Sequence, residues 1–150
     1  MTRRPASSGF TIYEAMMVLL VVAVVVGALT PSVRRQLMHA RVNRAANVLA
    51  SDLFLSQSIA SRQRVPVRVT FDLTEMKSFI IDSRSGGQTY QMHLYGPNSD
   101  FKLQSMTASP ITVFVMPNGM ASAALTLTIS DGAGYSRQIR MSRAGLIRVS

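Results

Sequence analysis

The chain has 150 residues, about one domain, with 16 lysines and arginines against 7 acidic residues and a formal net charge of +9. It contains no cysteine, which excludes disulfide staples and thiolate metal sites. The basic balance suits acidic partners, nucleic acid or lipid head groups, and it says nothing about the fold.

The first nine residues are a short polar leader whose charged side chains are Arg3 and Arg4. Phe10-Thr11-Ile12-Tyr13-Glu14 follows, and from Ala15 to Leu29 every residue is apolar or glycine. A helix over Phe10–Thr30 would extend roughly 31 Å at about 1.5 Å per residue, which matches a hydrocarbon thickness of about 30 Å. This segment is therefore expected to span a membrane. The stretch after Leu29 reads Thr30-Pro31-Ser32-Val33-Arg34-Arg35 and lacks the small-residue cleavage pattern of a secretory signal peptide. Glu14 is the one charged side chain between Phe10 and Val33. A carboxylate at such a depth costs on the order of a few kcal/mol unless it has a partner.

Beyond Pro31 the spacing predicts a helical continuation over 31–62. Met38, Val42, Ala45, Leu49, Leu53, Ser56 and Ala60 recur at steps of three or four, while Arg34, Arg35, Arg41, Arg44 and Asp52 are expected on other faces. From Val65 the period becomes two. Strands are predicted at Val65–Phe71, Lys77–Asp82, Thr89–Tyr95, Thr112–Met116, Ala124–Ser130, Tyr135–Met141 and Leu146–Val149. Glycine-rich and proline-containing turn signals such as Ser85-Gly86-Gly87 and Pro117-Asn118-Gly119 separate them. The expected class is α+β: a long, partly transmembrane N-terminal helix packed on an antiparallel sheet domain over 63–150.

No catalytic or metal-ligating constellation is legible. His39 and His93 stand apart from any carboxylate pair at metal spacing, and Asp72 with Glu75 falls at a strand end, where acids form turns. No G-x-S-x-G elbow or comparable motif occurs. The chain is accordingly expected to be no enzyme and to need no cofactor or metal. The C-terminal arginines are more informative. A three-residue loop of Arg143-Ala144-Gly145, with Gly145 in the left-handed position, sets Arg140 opposite Arg148 and gathers Ile139, Met141, Ile147 and Val149 on the inner face. Arg137, Arg140, Arg143 and Arg148 are then candidates for an anion-binding or DNA-binding patch, weighed against a simply solvated basic face.

Gly9-Phe10-Thr11-Ile12-Tyr13-Glu14, with the apolar run behind it, resembles the leader junction of type IV pilins and pseudopilins. Val113-Phe114-Val115-Met116-Pro117-Asn118-Gly119 and the closing Ile139–Val149 segment resemble the GspH/FimT group of minor pseudopilins and minor pilins. The resemblance implies a leader over 1–9 that a prepilin peptidase removes between Gly9 and Phe10, and methylation of the Phe10 amine. It implies a helix kink at Pro31. It also implies pairing of Glu14 with the Phe10 amine of a neighbouring subunit, which would match two buried opposite charges. The implied protein is a minor pseudopilin of a type II secretion system, with a minor type IV pilin acting in pilus assembly or DNA uptake as the alternative. Its partners would be other pilins in a filament, the peptidase, the inner membrane and exported protein cargo, with nucleic acid the lesser candidate. The helix would cross the bacterial inner membrane once, N-terminus in the cytoplasm and sheet domain in the periplasm. Counting Arg3 and Arg4 against Arg34, Arg35, Arg41 and Arg44 would by itself orient the span the other way; the leader junction is the more specific signal. DNA-receiving relatives carry Gly-Arg-x-Arg where this chain has Gly145-Leu146-Ile147-Arg148, so Leu146 replaces the first arginine.

Overall fold

The computed structural model describes residues 10–75, 77–132 and 134–150, and for residues 28–31 and 34 the backbone alone. One helix, α1, runs Ile12–Gln63. Eight strands follow: β1 Val67–Asp72, β2 Ser78–Ser83, β3 Thr89–Leu94, β4 Ser105–Ser109, β5 Thr112–Val115, β6 Leu125–Ser130, β7 Ser136–Met141 and β8 Ile147–Val149. The chain divides into two units between Leu37 and Met38.

Thr11 starts the helix as its cap. The Glu14 amide donates to the Thr11 hydroxyl at 3.3 Å and to its carbonyl at 3.1 Å, the threonine half of a capping box whose sequence has glutamate three residues on. The helix ends where Arg64 adopts a left-handed φ of 56°, with Arg62 in the last turn favourable to the helix dipole. Pro66, two residues beyond Arg64, cannot continue a helix. It also explains why β1 begins at Val67 and not at the expected Val65: proline donates nothing to a ladder.

In the first unit, the apolar side chains from Ile12 to Val26 are exposed. The 16 helical residues Ile12–Gly27 extend about 24 Å, and among the described residues no helix is long and apolar enough to cross a membrane. Gly9, and with it the cleavage junction, lies outside the described residues, as does the Pro31 side chain.

In the second unit two four-stranded antiparallel sheets, ordered β3-β2-β1-β5 and β4-β6-β7-β8, share one core with the helix. Val42, Ala45, Leu49, Leu53 and Ala60 are buried along the expected stripe, joined by Ala46, while Met38 at its start is exposed. Val67, Val69 and Phe71 of β1, Phe79 and Ile81 of β2, and Val113 and Val115 of β5 are buried from the first sheet. Met106, Leu125, Leu127, Ile129, Ile139 and Met141 complete the cluster from the second. Ser56, the polar member of the stripe, returns its hydroxyl to the Leu53 carbonyl at 2.7 Å and is thereby satisfied inside the core.

Two findings depart from the sequence reading. The single expected sheet is two sheets, connected through Ala121, which bridges to Val115 and donates its amide to the Arg143 carbonyl at 2.9 Å. A strand not expected at all, β4, pairs with β6 from Ser105↔Ser130 to Ser109↔Thr126. Its sequence, Ser-Met-Thr-Ala-Ser, has one large apolar side chain, Met106, so the alternation that marks a strand is nearly absent.

Candidate functional site

The described N-terminus places Phe10, Tyr13 and Glu14 on the surface, Phe10 at 76 % and Tyr13 at 78 % exposure. Glu14 sits in the first helical turn, where a negative charge is favoured by the helix dipole, and its amide is held by Thr11. The carboxylate thus has a local role as well as the expected assembly role. The threonine–glutamate spacing is the signal for that role in the sequence, and it is easily passed over beside the apolar run.

Asp52 corrects an expectation. Helical spacing puts it on a polar face, yet it is 4 % exposed. The Tyr95 hydroxyl donates to Asp52 Oδ2 at 2.8 Å, and His93 Nδ1 lies 2.6 Å from the same oxygen. Gln91 Nε2 stands 3.0 Å from His93 Nε2. Burial, and then the charge of Asp52, push the Tyr95 hydroxyl well above the ordinary tyrosine range. A buried carboxylate with two side-chain partners is satisfied, and it fastens the C-terminal part of α1 to the end of β3. His93 thus has one carboxylate and not a pair. Elsewhere His39 stacks on Tyr135 with ring centroids 4.1 Å apart and approaches Asp131 at 3.8 Å. Among the described residues no group of three or more His, Asp or Glu side chains could hold a metal ion. Asp72 accepts from the Thr74 amide at 2.9 Å, and that hydrogen bond holds its carboxyl below the usual carboxylate range. This is the turn-forming role expected of it.

The β7–β8 hairpin has the expected register. Arg140 is the partner of Arg148, and Met141 of Ile147. The Ser142 amide donates to the Leu146 carbonyl and the Gly145 amide to the Ser142 carbonyl, both at 2.9 Å, and Gly145 takes φ +83°. The loop is therefore Arg143-Ala144-Gly145, with glycine in the left-handed position. A Cβ at Gly145 would meet the Gly119 carbonyl oxygen at 2.1 Å, so this turn is tied closely to the one after β5. Gln57 of the helix ties both, donating to Gly119 O at 3.2 Å and Gly145 O at 2.7 Å. Ile139 and Met141 are fully buried on the inner face, whereas Ile147 is half-buried and Val149 is 40 % exposed, because β8 is the sheet edge.

The four candidate arginines do not form one patch. Strand alternation sends Arg140 and Arg148 to the outer face and Arg137 to the inner one. There Arg137 Nε donates to Asn43 Oδ1 at 2.8 Å and to the Tyr135 hydroxyl at 3.1 Å. Arg143 is in the loop between the strands, and Arg140 and Arg148 line a common hollow with Leu146. The pair across the hairpin was legible in the sequence; the capture of Arg137 by the helix required the fold.

Known proteins share this fold. Residues 45–145 match a family model described as type II transport protein GspH. The type IV minor pilin FimU of Pseudomonas aeruginosa is similar in structure, with a TM-score of 0.60 at 21 % identity over 73 % of this chain and 87 % of that one. The minor pseudopilin EpsH from the type 2 secretion system of Vibrio cholerae is similar with a TM-score of 0.55 at 13 % identity, over 73 % of this chain and 96 % of that one. No curated protein sequence matches.

Proposed function

We infer, for a chain that belongs to the GspH family of minor pilins and pseudopilins, that it is a structural subunit of a filament, a minor pseudopilin of a type II secretion system. The observation that carries the reading is the N-terminus: a capped helix with Glu14 in its first turn, followed by exposed apolar side chains from Ile12 to Val26. Exposed apolar surface of this extent demands a partner that removes it from water. Lipid serves before assembly, and packed helices of neighbouring subunits serve after it.

The protein is made with its N-terminus in the cytoplasm and Phe10–Thr30 in the inner membrane. A prepilin peptidase cuts after Gly9, and the Phe10 amine is methylated. In the filament the Glu14 carboxylate of one subunit meets the Phe10 amine of the next, and each charge is matched where neither could remain alone. Pro31 supplies the bend between the two helix segments. The sheet domain, in the periplasm, meets other subunits and exported cargo. Function lies in assembly and recognition and not in turnover.

Glu14→Gln tests the pairing. Glutamine retains the capping geometry and removes the charge. Sequencing of the mature variant is expected to begin at Phe10, while its recovery in sheared filaments falls at least about tenfold, as for loss of a buried charge partner. Normal assembly of the variant would end the pairing role, and a mature chain beginning at Met1 would end the processing scheme. Deleting the gene and measuring both exported protein and surface pili separates secretion from a pilus role: lost export with intact pili supports the reading, and the reverse transfers it to a type IV pilus.

A further inference from the structure

Three features meet at the open edge of the second sheet. The first is electrostatic. The registers align Ser109, Thr126, Arg140 and Arg148 in one row across β4, β6, β7 and β8. In the next row Gln138 Nε2 donates to Thr128 Oγ1 at 3.4 Å, and Arg140 Nε donates to Gln138 Oε1 at 2.8 Å. That contact orients the Arg140 guanidinium and leaves its terminal nitrogens for another acceptor. The described ion pairs are His39–Asp131, Arg68–Asp82 and His93–Asp52, so neither Arg140 nor Arg148 has an acidic partner among the described residues. Two like charges set opposite each other are unfavourable by themselves.

The second feature is a hollow of about 300 Å³ beside the two guanidiniums. Ala124 and Leu146 give it an apolar wall, with Leu146 55 % exposed. The third is backbone. Gln138 and Ser150 exchange both amide–carbonyl hydrogen bonds at 2.9 Å, which makes Arg140 and Arg148, two residues inward, the next bonded pair. Ile147 and Val149 therefore turn their N–H and C=O groups away from β7. β8 has a neighbouring strand on one side alone.

We propose that this edge seats an extended acidic segment of a partner protein, added to the sheet as a further strand beside β8. The partner's backbone pairs with Ile147 and Val149, and a carboxylate on its outer face reaches Arg148 and Arg140. The side chain two positions along lies in the same face and enters the hollow at Leu146. The recognised pattern is thus an acidic residue, any residue, and an aliphatic one. Addition of a strand to an open edge gives affinity through main-chain bonds and specificity through alternate side chains. A nucleic acid would use the two arginines and leave the backbone edge and the aliphatic hollow idle, and the row around the arginines presents Ser, Thr and Gln with no aromatic on which a base could stack. The inference goes beyond the filament reading, because neither the segment nor its test requires polymerisation.

The test uses the full chain in detergent micelles and a fluorescein-labelled nine-residue peptide with Glu-Thr-Leu at its centre, followed by anisotropy. Hydrogen exchange at the Ile147 and Val149 amides is read in parallel. The wild type is expected to bind and to slow exchange at both amides. Arg140→Ala combined with Arg148→Ala is expected to weaken binding at least about tenfold, as for loss of charge-assisted contacts. Val149→Pro, which removes an outward amide, is expected to weaken it similarly without moving the unfolding midpoint. Arg41→Ala, equal in charge to a single hairpin substitution but on the helix, is expected to bind as wild type. The proposal is overturned if the wild type does not bind, if Val149→Pro binds unchanged, or if exchange at Ile147 and Val149 is unaltered. It is also overturned if a single-stranded oligonucleotide of matched charge binds through Arg140 and Arg148 and the peptide does not.

Discussion

The two ends of α1 both carry large apolar side chains, and those side chains have opposite fates. From Ile12 to Val26 its large side chains are exposed, whereas from Val42 to Ala60 a stripe of them is sealed by two sheets. The downstream stripe alternates with Arg41, Asn43, Arg44 and Asn47, so burying one face leaves a polar surface. The upstream segment is apolar all round, and a single sheet domain can cover one side of a helix, not its circumference. The downstream region is thus completed within the chain, and the upstream one requires surroundings.

This contrast can be broken by experiment. Leu49→Ala should destabilise the sheet domain by about 2–5 kcal/mol, as for other fully buried leucines, whereas Leu19→Ala should alter it by less than about 0.5 kcal/mol. Chemical denaturation followed by a domain probe checks both, and an equal effect from Leu19→Ala would erase the distinction. Gly145→Ala attacks the fastening of the downstream region. The left-handed φ and the Gly119 carbonyl in the way should cost about 1–3 kcal/mol, read as a lower melting temperature. Tyr95→Phe is expected to cost about 1 kcal/mol near neutral pH through loss of the hydrogen bond to Asp52.

That tyrosine also carries a pH signature. In the fold its hydroxyl stays protonated well above the ordinary tyrosine range. The unfolded chain releases that proton above about pH 10 and the folded chain does not, so stability is full below that pH and falls as pH rises past it. Tyr95→Phe should flatten this alkaline decline; an identical slope in the variant would mean that the hydroxyl does not report on the core. The smallest effect is expected at Asp72, whose lowered pKa favours the fold above the ordinary carboxylate value and ceases to do so as pH falls through the folded one. Asp72→Asn should cost slightly at neutral pH and nothing in strong acid, measured by denaturation at both.

Much of this architecture was legible because it depends on neighbours in sequence. The stripe at steps of three and four, the alternating strands and the Arg143-Ala144-Gly145 loop each follow from local geometry, and the loop set Arg140 against Arg148 at the correct register. What escaped depends on distant residues. Asp52 reads as a surface charge until β3, far along the chain, brings His93 and Tyr95 to it. Arg137 reads as part of a basic patch until Asn43 claims it. β4 has almost no apolar signal because it is a polar edge strand.

Patterning along the chain thus determined the element types other than β4, the turn that aligns the final hairpin, and the segregation of one wholly apolar helical segment from one amphipathic segment. Tertiary structure alone decided that the strands form two sheets, that Asp52 is interior, and that Arg140 and Arg148 stay on the outer face beside the open edge of β8 while Arg137 is held on the inner face. The reason is physical: periodicity records which face a residue occupies, while the partner across that face comes from packing remote segments together.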